Sequence, residues 1–189
     1  MRLLFSLVLL FITLQSPEAK KVGEKYTVKT KGITIGNLDW QVKLEKDTYT
    51  TSINLKNKGP LSLVYKFNGY YEASGIIKKN ILISEKYIQE WKTKNKQRNI
   101  NLIFENNKIM DLKIQPEEKE LARINFLELE GYVDPLTSFL NIFLNNFDSK
   151  TIDGRRIYVL SPRKKDGYTK VLIKNYINIW ADHNKNDLE

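Results

Sequence analysis

The sequence predicts a mainly β domain: a curved antiparallel sheet, or half-open β-barrel, with one helix at about residues 134–147 packed on its concave face. Three observations carry this prediction. From Lys25 onward most apolar residues alternate with polar ones, the period of a strand with one buried face. Short clusters of Gly, Asn, Asp and Pro punctuate the alternating runs. A single stretch, Tyr132 to Phe147, breaks the alternation with apolar residues at 3/4 spacing. The chain of 189 residues fits one domain. Residues 20–189 are assigned to it, because residues 1–19 read as an export signal.

Arg2 supplies a positive start to that signal, and Leu3 to Leu14 an apolar run. The run falls within the ~7–15 residues of a signal core and is shorter than the roughly 20 needed to span a bilayer. Ala19 is a good last residue before cleavage, Pro17 is a poor −3 residue, and cleavage after Ser16 is an alternative. A retained leader would act as an anchor; a cleaved one leaves no transmembrane span.

The first strand carries Tyr26 and Val28 on one face, followed by Ile33 and Ile35. Leu38, Trp40, Val42 and Leu44 then occupy even positions. This change of parity predicts a bulge at Gly36-Asn37, where one extra residue restores the inward face. Lys46-Asp47 reads as a hairpin turn, and Tyr49, Thr51, Ile53 and Leu55 return on the next strand. Asn57-Lys58-Gly59-Pro60 is a loop, and Leu61 to Phe67 fits either a short helix or a strand. Tyr70 to Ile77 is a strand. A meander follows through Tyr87–Thr93, Ile100–Phe104, an Asn106-Asn107 turn, and a strand whose inward residues are Met110, Leu112 and Ile114. Pro116 ends it, and residues 117–130 are a charged loop or helical approach.

In the helix, Asp134 is the predicted N-cap, since its carboxylate can accept the free amide hydrogens of the first turn. Pro135 suits N1, where a missing N–H does no harm. Leu136, Phe139, Leu140, Phe143, Leu144 and Phe147 form one apolar stripe. Asp153-Gly154 then marks a turn, Ile157 to Leu160 a strand, Asp166-Gly167 a hairpin, and Tyr168 to Trp180 the returning strand. Residues 181–189 are polar and read as a frayed tail.

Composition narrows the chemistry. The net charge is +9, but only six of the 31 basic residues are Arg. Lysine excess together with abundant Ile and Asn fits codon bias better than selection for phosphate recognition, which favours the Arg fork. No nucleic-acid partner is expected. The chain has no Cys and one His, His183 in the polar tail. A disulfide framework, a Cys-based metal site and a Ser-His-Asp set are therefore excluded, and no metal, cofactor or catalytic residue is assigned. Glu117-Glu118 with Glu120, and Glu128 with Glu130, read as solvated charges rather than as a glycosidase pair. The aromatic residues read mostly as core. Where sheet and helix do not close, Trp40, Trp91, Phe104, Phe139 and Phe143 are the candidate walls of an apolar ligand pocket.

Four fragments together resemble a known family: Ile33-Thr34-Ile35-Gly36-Asn37-Leu38-Asp39-Trp40, Gly69-Tyr70-Tyr71-Glu72-Ala73-Ser74-Gly75, Asp134-Pro135-Leu136-Thr137-Ser138-Phe139-Leu140, and Asp153-Gly154-Arg155-Arg156-Ile157-Tyr158. In this order behind an export signal they resemble the bacterial family called domain of unknown function 3108, over roughly residues 24–180. The sharpest pieces are the Asp-Pro-Leu-Thr helix start and the Asp-Gly-Arg strand. The resemblance implies a periplasmic protein of a Gram-negative envelope and a half-barrel similar to the lipoprotein carriers LolA and LolB. It also implies a strand pair beyond Trp180. The sequence ends at Glu189, so the expectation is either a missing hairpin with an exposed edge or a truncated sequence.

The functional expectation is a non-enzymatic envelope protein that binds a lipid or a lipoprotein acyl chain. The alternative is an assembly factor that contacts other envelope proteins by strand pairing, with a carboxylate hydrolase a distant third.

Overall fold

Residues that tolerate positive φ set the hairpins. Lys79 and Asn80 (φ 50° and 63°), Asn106 and Asn107 (51° and 63°), and Asp166 and Gly167 (47° and 82°) each turn the chain within two residues. Paired positive φ is the twist that suits a two-residue hairpin. The second and third of these turns are legible in the sequence. Lys79-Asn80 is not, because Lys is a poor marker of that conformation.

The computed structural model describes residues 20–30, 32–59, 62 and 66–180. Residues 1–19, which read as an export signal, the polar residues 181–189 with His183, and most of the ambiguous Leu61–Phe67 stretch lie outside them; Phe67 opens a strand. Seven strands form one antiparallel meander in chain order. They are β1 (Lys20–Thr30), β2 (Ile33–Leu44), β3 (Thr48–Asn57), β4 (Phe67–Lys78), β5 (Ile81–Thr93), β6 (Gln97–Glu105) and β7 (Lys108–Gln115). The sheet does not close into a barrel; β1 and β7 are its two edges. After a single 3-10 turn (Phe126–Glu128) and helix α1 (Pro135–Asn145) come β8 (Ser149–Ile152), β9 (Arg156–Lys165) and β10 (Tyr168–Asn178), a second antiparallel sheet in the order β10-β9-β8.

Four readings need correction. The register pairs Val28 with Gly36 and Lys29 with Thr34, so Ile35 is the extra residue, one place before the predicted bulge. A Cβ at Gly36 would lie 2.8 Å from the Lys56 carbonyl oxygen, which explains the glycine beside the bulge. On β7, Phe104 pairs with Ile109 and Ile103 with Asp111, which pushes Met110 out. Ile109 is buried in its place, and Met110 is 54% exposed. Strand β5 begins at Ile81 rather than near Tyr87. The four-residue β8 has no signal in the sequence, since it lies between the helix end and the Asp153-Gly154 turn and is too short for an alternation to register.

The helix cap is as predicted. The Asp134 side chain accepts from Leu136 N–H and Thr137 N–H, and Pro135 occupies the first helical position. The buried face is not the predicted stripe. Leu136, Leu140 and Ile142 are buried with Thr137, Ser138 and Asn141, whereas Phe143 and Leu144 are 60% and 55% exposed. The reason is that α1 touches two sheets, β3–β5 of the large one and β8–β9 of the small one. A helix between two layers buries more than one stripe, and its inward polar groups survive only by finding partners. Ser138 shares a hydrogen bond with Thr151 at 2.7 Å, and the Asn141 amide pairs with both backbone groups of Leu82.

The closed core lies over β5–β7. Tyr87, Ile100, Leu102, Phe104 and Ile109 pack there with Leu136 of α1 and with Ile152, Ile157 and Ile179. A second cluster of Tyr49, Leu82 and Leu140 lies under the helix, and Trp40, Val42 and Leu44 are only partly buried against it.

Candidate functional site

Strand pairing assigns each residue to a face. Trp40 stands beside Glu24 on β1 and Ile53 on β3, and the row continues through Tyr71, Gln89, Ile100 and Ile114. The neighbouring row runs Val22, Val42, Thr51, Ala73, Tyr87 and Leu102. This is the helix-bearing face. The opposite face carries the alternate residues, such as Lys25, Asp39, Asn54, Tyr70, Glu90 and Asn99, and is polar.

Among the described residues the apolar face is covered at one end only. Over β5–β7 it meets the second sheet. Over β1 and β2 it is open: Val22 and Tyr26 are 43% and 47% exposed, and Leu38, Trp40, Val42 and Leu44 are half-buried. The helix forms the inner wall of this trough. Trp40 packs against Phe139 with ring centroids 5.9 Å apart and against Phe143 at 6.2 Å, and Phe139 meets Phe143 edge-on at 4.7 Å. Trp40 Nε1–H donates to Thr51 Oγ1 at 2.9 Å, which orients the indole and satisfies its polar end. Farther along the same strands, Val28, Ile35, Leu55 and Phe67 line a cavity of about 180 Å³ with very little polar surface.

The five residues singled out from the sequence thus separate. Trp40, Phe139 and Phe143 come together. Phe104 is 4% exposed inside the closed core. Trp91 stands opposite Gly69 and Arg98, across β3 and β4 from Trp40. The trough residues Val22, Tyr26, Leu38, Val42 and Leu44 were missed as site residues, although their parity was readable. What the sequence lacks is any sign that this end of the sheet stays uncovered.

A buried polar network holds the wall in place. Asp134 is fully buried. Ser84 Oγ–H donates to Asp134 Oδ2 at 2.6 Å, and Asp134 N–H donates back to Ser84 Oγ at 3.0 Å. The Thr137 hydroxyl also donates to Asp134 Oδ2, which spends its only proton. Tyr49, 2.5 Å from Thr137 Oγ1, must therefore donate to it. Burial pushes the Asp134 carboxyl above its usual range even though all these donors pull it down. Burial, with the Asp134 charge behind it, likewise raises the Tyr49 phenol. The chain Tyr49–Thr137–Asp134–Ser84 ties β3, α1 and β5 into one seat.

The other singled-out charges are placed as follows. Glu118 is drawn inward, its side chain 5% exposed, between Arg98 and Arg155, the latter at 3.2 Å. Glu117, Glu120, Glu128 and Glu130 are exposed. Asp153 accepts from Arg155 N–H at 2.9 Å and Arg156 N–H at 2.7 Å, and burial raises its carboxyl. Gly154 follows at φ 87°, where a Cβ would sit 2.6 Å from Ile100 Cγ2, and its carbonyl accepts from Trp180 Nε1–H at 3.1 Å. The Asp-Gly-Arg segment is therefore a turn driven into the core with its Arg on Glu118, a structural latch. Among the described residues no cluster of His, Cys, Asp and Glu could hold a metal ion, and no helix is long and apolar enough to cross a membrane.

No curated protein and no solved structure matches this chain. One family model does, over residues 25–145, from β1 to the last residue of α1. The matched segment holds the trough residues from Tyr26 onward and the helical wall, and stops short of the Asp153-Gly154-Arg155 latch. By that match the chain belongs to the family described as protein of unknown function (DUF3108).

Proposed function

We propose that this is a non-enzymatic, exported protein of the Gram-negative envelope that binds an apolar, lipid-like ligand, such as the acyl chain of a lipid or lipoprotein, in the trough between β1–β2 and α1. The carrying observation is the Trp40–Phe139–Phe143 cluster at the edge of an apolar face that one half of the molecule covers and the other leaves open. Such surface gains roughly 25 cal/mol for each Å² removed from water. The curved open sheet with a helix on one face supports likening this protein to the carriers LolA and LolB, an analogy of fold alone. The acidic residues favour no hydrolase: Glu118 is committed to two arginines, Asp134 and Asp153 accept hydrogen bonds from the fold itself, and Glu117, Glu120, Glu128 and Glu130 are exposed.

The first test is native mass spectrometry of the protein recovered from the periplasm, with organic extraction of what comes with it. A co-purifying mass of lipid size supports the carrier. In a fluorescent fatty-acid assay, Phe143→Asp is expected to weaken binding at least tenfold while leaving the melting temperature nearly unchanged, because the side chain is 60% exposed. Lys20→Ala, at the rim beside Leu44, should weaken it only slightly. Equal and negligible effects of both substitutions defeat the trough.

A second reading has its own observation. Among the described residues, strands β1 and β10 each end a sheet with one edge that pairs with no further strand. A partner strand added there would make the protein an envelope assembly factor. A clean apo mass, unchanged after incubation with phospholipids and lipopeptides, favours this reading.

A further inference from the structure

We propose that the end of the molecule formed by the last turn of α1 and the β4–β5 hairpin is a docking tip for an anionic lipid bilayer. The inference goes beyond ligand binding in the trough and stands on different residues. The helix overshoots the sheet. Leu140 is 6% exposed over β5, and one turn later Leu144 is 55% exposed, with Phe147 beyond it at 36%. Ile81, the first residue of β5, is 42% exposed at the same end. The hairpin and the helix end are joined, since Asn145 Nδ2–H donates to the Asn80 carbonyl at 2.9 Å.

Beside these apolar groups lies an open cavity of about 540 Å³, lined by Lys78 and Lys79 of the hairpin, Lys150 of β8, Ile81 and Phe147. Its one carboxylate, Asp148, is engaged elsewhere, accepting from Ser161 Oγ at 2.7 Å with Lys174 Nζ at 3.9 Å. The lining thus carries net positive charge, with the Lys150 ammonium 5.7 Å from the centroid of the Tyr132 ring. Protruding aliphatic and aromatic side chains ringed by lysine have the chemistry of an interfacial anchor: apolar groups enter the acyl boundary while ammonium groups meet anionic head groups.

The test is sedimentation of the full-chain product, its N-terminus read by mass spectrometry, with phosphatidylglycerol–phosphatidylcholine vesicles and with phosphatidylcholine vesicles alone. Binding is expected to the anionic vesicles, falling as salt is raised. The triple change Lys78→Glu, Lys79→Glu and Lys150→Glu should weaken it by about a hundredfold or more, from about fivefold for each lysine lost. Leu144→Asp should weaken it about tenfold by placing a charge where the chain enters lipid. Both variants should bind the fatty-acid probe in the trough like wild type, and Phe143→Asp should still bind vesicles less than tenfold more weakly than wild type. Absence of binding to anionic vesicles at low salt overturns the proposal. So does undiminished binding by the triple variant, or equal binding to neutral vesicles. Saturation of the effect by millimolar inorganic phosphate would overturn it in favour of a free-anion site.

Discussion

Asp134 shows how one side chain can serve structure at an electrostatic cost. As N-cap it satisfies two amide hydrogens, and as acceptor it gathers the hydroxyls of Ser84 and Thr137. None of these partners is a cation, so burial leaves its carboxyl above the unfolded value of about 3.9. The sign of the linkage follows. Between the unfolded and the raised folded pKa the native state binds the extra proton, so stability falls as pH rises through that window and is flat above it. Asp134→Asn keeps a good cap and removes the titration. The urea midpoint of wild type relative to Asp134→Asn should therefore shift in favour of wild type as pH is lowered from 7 to 4. A difference constant across that range would show that Asp134 does not titrate in it. The cap was legible because Asp-Pro before an apolar run is a local signal. The burial of the carboxylate was not, because it depends on Ser84 and Tyr49, which are distant in sequence.

At the scale of elements, α1 is the piece through which the two sheets communicate. Strand β5 pairs with β6 only from Lys86 to Lys92, so its first residues project past β6 with an unpaired edge. Asn141 fills that gap. Its Oδ1 accepts from Leu82 N–H at 2.9 Å and its Nδ2 donates to Leu82 O at 2.8 Å, as a neighbouring strand would. Asn141→Leu leaves both backbone groups buried without a partner and should cost about 2–3 kcal/mol in urea unfolding. Asn145→Leu removes a single exposed hydrogen bond and should cost less than about 0.5 kcal/mol. Equal costs would mean that the amide at 141 is not what seats the helix. The stripe read from 3/4 spacing correctly marks a helix with an apolar side. It misplaces the buried face because spacing records the helix alone, and Thr137, Ser138 and Asn141 become interior only once β8 and β9 cover them.

At the scale of the whole molecule the structure divides into a closed half over β5–β7 and an open half over β1–β2. In native-state hydrogen exchange, amides of Ile100 and Leu102 should be protected far longer than those of Val22 and Tyr26 in the edge strand, and a trough ligand should slow β1 and β2 selectively. Uniform protection across the sheet would argue against an open half. The meander itself was readable, because period-2 alternation and hairpin residues act over a few neighbours. Bulge positions were read to within one residue or missed, as at Ile35 and Met110, since a bulge is fixed by the partner strand's register. The aromatic set was read as one wall, yet Phe104 went to the core while Trp40, Phe139 and Phe143 met at the trough; an apolar residue in a strand looks the same whether or not a second layer covers it. The sequence by itself determined the β class, the capped helix that follows the meander, and the family. Only the tertiary structure decided which end of the apolar face is covered, which helix residues are interior and where the lysines gather beside exposed hydrophobic groups. Local pattern specifies faces, but which face meets which is set by long-range packing of both sheets on one helix.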